Sequence, residues 1–164
     1  MTIAVGETIP ALKLKHLTEG GMAELDTATF FAGKTTVLFA VPGCYTPTCS
    51  AKHLPSFTTN MAALKANGID QVACIAVNDP FVMHQWLKDS NAAGIIGLPD
   101  GNGSLTKALG LEMDGSPYGL GTRSQRYAMI VKDGVVQHLA VEKPGALDVS
   151  TGDAILAVLA SKAA

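Results

Sequence analysis

Cys44, Cys49 and Cys74 are the candidate nucleophiles of this chain, and two of them lie in the segment Val41-Pro42-Gly43-Cys44-Tyr45-Thr46-Pro47-Thr48-Cys49-Ser50. Thr46 followed by Pro47 reads as a helix start, with a capping hydroxyl and a proline in the first turn. Counted from there, Cys49 is the third helical residue. Unpaired backbone N–H groups and the positive end of the helix dipole favour an anion at that position, and a thiolate suits it. Ionisation alone gains little. A thiol of pKa ~8.5 is already roughly 7% ionised near pH 7.4, so full ionisation adds about 14-fold at most. The lower basicity takes much of that back. Fast chemistry at Cys49 needs neighbours that stabilise the transition state. For a peroxide O–O bond, the Thr46 hydroxyl and a fixed guanidinium have the right chemistry. The residues alone leave open whether Arg123 or Arg126 supplies that guanidinium.

The surrounding pattern shows what must position these groups. Ala11 to Leu17 alternates apolar and polar residues, as a half-buried strand does, and Met22 to Asp26 beyond Gly20-Gly21 is its hairpin partner. Thr27 to Phe31 forms a short helical turn. Thr35 to Val41 and Gln71 to Val77 are continuously apolar and β-rich, the mark of strands buried on both faces. A helix is expected over 47–67, closed by Gly68, and another from Phe81 to Asn91 after the start signal Asn78-Asp79-Pro80. Ile95 to Leu98 is a short strand and Ser104 to Leu109 a short helix. Gly115, Gly119 and Gly121 mark a loop. Asp133-Gly134 joins strands Tyr127 to Val131 and Val135 to Val141 in a hairpin, and a helix over 152–161 ends the pattern. Buried strands joined by helices predict an α/β fold, a mixed sheet with helices on both faces. Sites in such sheets form where strands end and helices begin, which points to residues 41–49.

The whole is bounded by composition. A chain of 164 residues, 48% hydrophobic and 16% charged, is expected to form one domain over residues 1–164 with a large core. A net charge of −2 argues against nucleic acid as a partner. No apolar run reaches the ~18 residues of a membrane span, and no secretory signal is visible, so the cytoplasm is the expected location. There is no Cys-x-x-Cys pair and no Cys/His cluster with zinc spacing, so the thiols are either buried apolar groups or chemically active ones.

Pro42-x-x-x-Thr46-x-x-Cys49 resembles the active-site pattern of the peroxiredoxins. The longer string through Ser50, His53-Leu54-Pro55 and Phe57 is similar to their type II/type V class. So are Ala73-Cys74-Ile75, Val77-Asn78-Asp79, Phe81-Val82-Met83, Trp86, Gly119-Leu120-Gly121, Arg123-Ser124, Arg126-Tyr127-Ala128, Asp133-Gly134-Val135-Val136 and Val141-Glu142. The resemblance spans nearly the whole chain. It implies a thioredoxin-like fold and thiol-dependent reduction of hydrogen peroxide and organic hydroperoxides. Cys49 would be the peroxidatic nucleophile, oxidised to sulfenic acid. Thr46 would hydrogen-bond sulfur and peroxide, Pro42 would shield the thiolate, and Arg126 would polarise both. The resemblance also implies a homodimer, recycled by glutathione and glutaredoxin or by thioredoxin, with neither a metal nor a bound cofactor.

Other readings stand beside this one. Cys49 as a structural thiol, Thr46 as only a cap and Pro42 as only a strand terminator are the plain alternatives. A thiol–disulfide oxidoreductase and a redox-sensing binding module of the same fold are the rival functions. Cys44 sits where the family more often has alanine. No cysteine follows Cys74, so the distal resolving cysteine of the animal enzymes is absent, and Ser150 lies near its place. Cys74 in mid-strand and Cys44 on the loop are expected to be passive. His53 shares the helix face of Cys49 and is expected to make a structural hydrogen bond. Trp86 is expected to pack; Phe81, His84 and Tyr45 suit either a dimer interface or a peroxide entrance.

Overall fold

The computed structural model describes residues 1–163. Strands β1 (Lys13–Thr18) and β2 (Gly21–Asp26) form the expected hairpin, with β1 beginning later than the alternation alone suggested. Asp26 caps helix α1 (Thr27–Phe31) by accepting the Ala28 N–H. The central sheet holds β3 (Thr35–Ala40), β4 (Gln71–Ala76), β5 (Ile95–Pro99), β8 (Tyr127–Lys132) and β9 (Val135–Val141), in the order β5-β4-β3-β8-β9. The first three run parallel, and β8 is antiparallel to both β3 and β9. This is the mixed α/β sheet read from the sequence. Asp133 (φ 49°) and Gly134 (φ 80°) both take the left-handed conformation, which the two-residue turn between β8 and β9 requires.

Each face of the sheet has its own core. Val37, Phe39, Val72 and Cys74 pack with α2 (Leu54–Thr58), α3 (Met61–Ala66), α4 (Pro80–Asp89) and α6 (Gly152–Ala163) through Phe57, Leu64, Trp86 and Ile155. On the other face Leu38, Ala73, Ile75 and Met129 meet the β1–β2 hairpin, α1 and α5 (Ser104–Ala108) through Leu14, Phe31 and Leu105. Strands covered on both faces explain the unbroken apolar runs in the sequence.

Two regions depart from the sequence reading. The glycine loop contains a small sheet, β6 (Glu112–Asp114) against β7 (Thr122–Ser124). The helix expected over 47–67 is broken. Residues Cys49–His53 form a π turn in which the Leu54 N–H bonds to the Cys49 carbonyl, five residues back. Pro55 is the physical cause. It has no N–H to give Ala51, and its ring would strike that carbonyl in a regular α-helix. One extra residue in the turn relieves the conflict.

Candidate active site

Strand register brings the site together. Ala40 of β3 lies opposite Tyr127 of β8, and Tyr127 lies opposite Val141 of β9. The next residues outward, Val41, Arg126 and Glu142, therefore share one sheet edge, where the Glu142 N–H donates to the Arg126 carbonyl at 2.9 Å. The loop after β3 is tied down from two sides. Asn78, just beyond β4, accepts the Cys44 N–H at 2.9 Å. Arg123 donates to the Pro42 carbonyl at 3.2 Å and to the Leu120 carbonyl at 3.0 Å. Gly43 leaves room for that arginine: a Cβ there would sit 2.6 Å from its Nη1.

Cys49 is fully buried in the π turn. Arg126 Nη2 donates to its Sγ at 3.2 Å. Arg123 faces the loop backbone instead, so the geometry distinguishes the two arginines. Arg126 Nη1 lies 2.8 Å from His53 Nδ1. A guanidinium only donates, so Nδ1 accepts and the ring proton sits on Nε2. That nitrogen donates to the Ser150 carbonyl at 2.8 Å and lies 3.3 Å from the Ser150 hydroxyl. The hydroxyl gives its proton to Glu142 Oε2 at 2.7 Å. The same oxygen accepts the Asp148 and Ser150 N–H groups at 2.7 and 2.9 Å. A buried chain of hydrogen bonds thus runs from Cys49 through Arg126, His53 and Ser150 to Glu142.

The charge states follow. Burial first, then the Arg126 charge, push the His53 pKa down to about 4 against the Ser150 bond, so the ring is neutral. Burial pushes Glu142 up, but hydrogen bonds from the Ser150 hydroxyl and the loop amides outweigh it and leave its pKa lowered. Thr46 corrects an expectation. Its hydroxyl donates to the Gly43 carbonyl at 2.6 Å and neither bonds the sulfur nor caps the helix, although its carbonyl accepts the Ser50 N–H at 3.0 Å. The hydroxyl oxygen keeps lone pairs to accept with. Pro42 lines a cavity of about 310 Å³ beside this cluster, together with Thr48, Met113 and Arg126.

Residues 4–156 match the redoxin family model. The chain is 47% identical over 165 residues to the chloroplastic peroxiredoxin-2E-2 of Oryza sativa subsp. japonica, covering 96% of this chain and 73% of the relative. It belongs to the peroxiredoxins, of the type II/V kind. It is also 42% identical to peroxiredoxin-2B of Arabidopsis thaliana, covering 96% of this chain and 98% of that one. Among solved structures, reduced Prx3 of Vibrio vulnificus in complex with hydrogen peroxide is 51% identical, with a TM-score of 0.93 and coverage of 96% and 99%. The thioredoxin-like fold expected from the resemblance is the fold of these relatives.

The other thiols of this peroxiredoxin are free and buried. Burial first, then the nearness of Cys49, push the Cys44 thiol up to about 12. Its Sγ lies 4.0 Å from the sulfur of Met83. Cys74 is fully buried in β4 beside Phe39, and burial holds its pKa well above the usual thiol value. Trp86 packs in the core and donates its indole N–H to the Ser50 hydroxyl at 2.9 Å. His53 makes the expected hydrogen bond and a second one, to the arginine, that the sequence reading did not include. Its position four residues after Cys49 was the available signal. For Ser150 and Glu142 there was no local one.

Proposed function

We propose that Cys49 is the nucleophile of this thiol-dependent peroxidase, that Arg126 and Pro42 serve it as the family pattern implies, and that Thr46 serves the peroxide rather than the sulfur. Membership of the peroxiredoxins supplies the activity; the residue roles are our reading. The observation that carries it is the 3.2 Å contact of Arg126 Nη2 with a fully buried Cys49 sulfur. The thiolate attacks the terminal peroxide oxygen. The O–O bond breaks, sulfur takes the oxygen, and the leaving hydroxide or alkoxide picks up a proton as water or alcohol. Arg126 stabilises the charge as it moves from sulfur to oxygen. Thr46, its proton committed to Gly43, accepts from the peroxide O–H. Pro42 keeps water from the sulfur.

Recycling by an external thiol, through glutaredoxin with glutathione or through thioredoxin, fits the two high-pKa companions of Cys49. A homodimer fits the exposed aromatic side chains Tyr45, Phe81 and Tyr118. Three free thiols fit a reducing compartment, for which we propose the cytoplasm. Steady-state peroxide consumption with both donor systems in parallel tests this reading. Turnover with one or both is expected, and none with either contradicts it. Sedimentation at low protein concentration tests the dimer: a dimer mass is expected, and a monomer contradicts it.

A further inference from the structure

A second cavity, of about 490 Å³, lies away from the cysteine site, between the end of β1, one side of α4 and the edge strand β5. Its size falls within the range of small-molecule sites. Met83, Leu87, Ile95 and Ile96 make much of its wall apolar. Every ionisable side chain lining it is basic: His16, His84 and Lys88, with no carboxylate among them. Lys88 and both histidines make no side-chain hydrogen bond or ion pair among the described residues, where the ion pairs are Lys13 and Lys15 with Glu24. This basic rim stands out in a chain whose net charge is −2. The active-site chemistry uses none of these residues. His16 comes from β1, and helix α4 contributes to the cavity through the stripe that carries Pro80, His84 and Lys88. Phe81, Gln85 and Asp89 lie on another, where the Tyr45 hydroxyl donates to Asp89 at 2.6 Å.

An apolar slot whose rim carries a lysine ammonium and two imidazoles, with no carboxylate in the lining, suits an amphipathic anion. We propose that this cavity binds a medium-chain fatty carboxylate, with the chain between α4 and β5 and the carboxylate at His16, His84 and Lys88. Burial of the chain supplies affinity, and the basic rim supplies the preference for a negative head. The proposal does not depend on the peroxidase reading, because it uses a different cavity and different residues.

Three eight-carbon probes test it on the reduced protein: octanoate, octanol and octylammonium, titrated against backbone amide shifts. Octanoate is expected to saturate one site, with shifts confined to β1, α4 and β5, at least tenfold tighter than octylammonium and tighter than octanol. Lys88→Glu is expected to weaken octanoate at least fivefold and leave octanol unchanged. Ala93 is an exposed residue of the lining, so Ala93→Trp fills the cavity from the rim without entering the core. It should abolish octanoate shifts while peroxide turnover stays at the wild-type rate. Equal binding of the three probes, indifference to Lys88→Glu, or no saturable shift at this cavity would each overturn the proposal.

Discussion

Arg126 and His53 are joined by a 2.8 Å contact between Nη1 and Nδ1, and this contact aims the arginine. One edge of the guanidinium rests on a neutral imidazole, which leaves Nη2 directed at the Cys49 sulfur. The imidazole is itself fixed by the Ser150 carbonyl, and the Ser150 loop is held by Glu142. The carboxylate thus acts on the sulfur only through the groups between them.

If the fork geometry matters, charge alone will not replace it. Arg126→Lys keeps the cation but loses the planar pair of donors that serves His53 and Cys49 together. The second-order rate of sulfenate formation is expected to fall at least tenfold, and His53→Ala should slow it as well. Trp86 is bonded to Ser50 beside Cys49, so its fluorescence is expected to change with the reaction and to serve as the stopped-flow signal. A rate that follows thiolate fraction alone would remove the transition-state role of Arg126.

His53 also predicts an acid limit to stability. Its folded pKa, about 4, lies below the unfolded value of about 6.5. In that interval the unfolded chain binds the proton and the folded chain does not. The neutral ring's contribution is present above pH 6.5 and is lost as pH falls toward 4. Denaturant unfolding across that range should show wild type losing on the order of 2–3 kcal/mol more than His53→Gln, which cannot titrate. Parallel curves would show that His53 is not buried neutral.

Gly43 should tolerate no side chain without cost. The methyl of Gly43→Ala would meet Arg123 Nη1 at 2.6 Å and displace it from the Pro42 carbonyl. The expected outcome is a stability loss of about 1–2 kcal/mol by denaturant unfolding and a slower peroxide reaction. Unchanged behaviour of both would mean that Arg123 does not hold the loop.

Resolution should come from outside the chain. Cys44 and Cys74 are buried thiols with raised pKa, poor partners for a sulfenate. One equivalent of peroxide should leave a Cys49 sulfenate that gains the mass of glutathione on its addition, with water released. Cys44→Ser and Cys74→Ser should each behave likewise. Rapid loss of two hydrogens by intact-mass spectrometry, abolished in either variant, would identify that cysteine as the resolver.

How much of this was legible beforehand depended on the range of the forces involved. The strands from Thr35 and Gln71 announced themselves because burial on both faces demands continuous apolar residues, and Asp133-Gly134 because its turn demands positive φ. The π turn was hidden under a strong helix pattern, although its cause, Pro55, was in view. Strands β6 and β7 are three residues each and lie between glycines, too short for periodicity to register. Cys49 and Thr46 were placed by local spacing, while Arg126 was separated from Arg123 only by family resemblance. The bond from His53 to Ser150 spans 97 positions and depends on the register of β8 and β9, which no local signal encodes.

The central claim is that Cys49 itself reduces the peroxide. The most direct measurement is peroxide consumption by wild type and Cys49→Ser, with dimedone trapping of the product followed by peptide mass mapping. Sulfur to oxygen is a small volume change, so the variant should fold. Wild type is expected to consume one equivalent rapidly and carry dimedone on Cys49, while Cys49→Ser consumes none above background. Wild-type consumption by Cys49→Ser, or the trapped sulfenate on Cys44 or Cys74, would contradict the account.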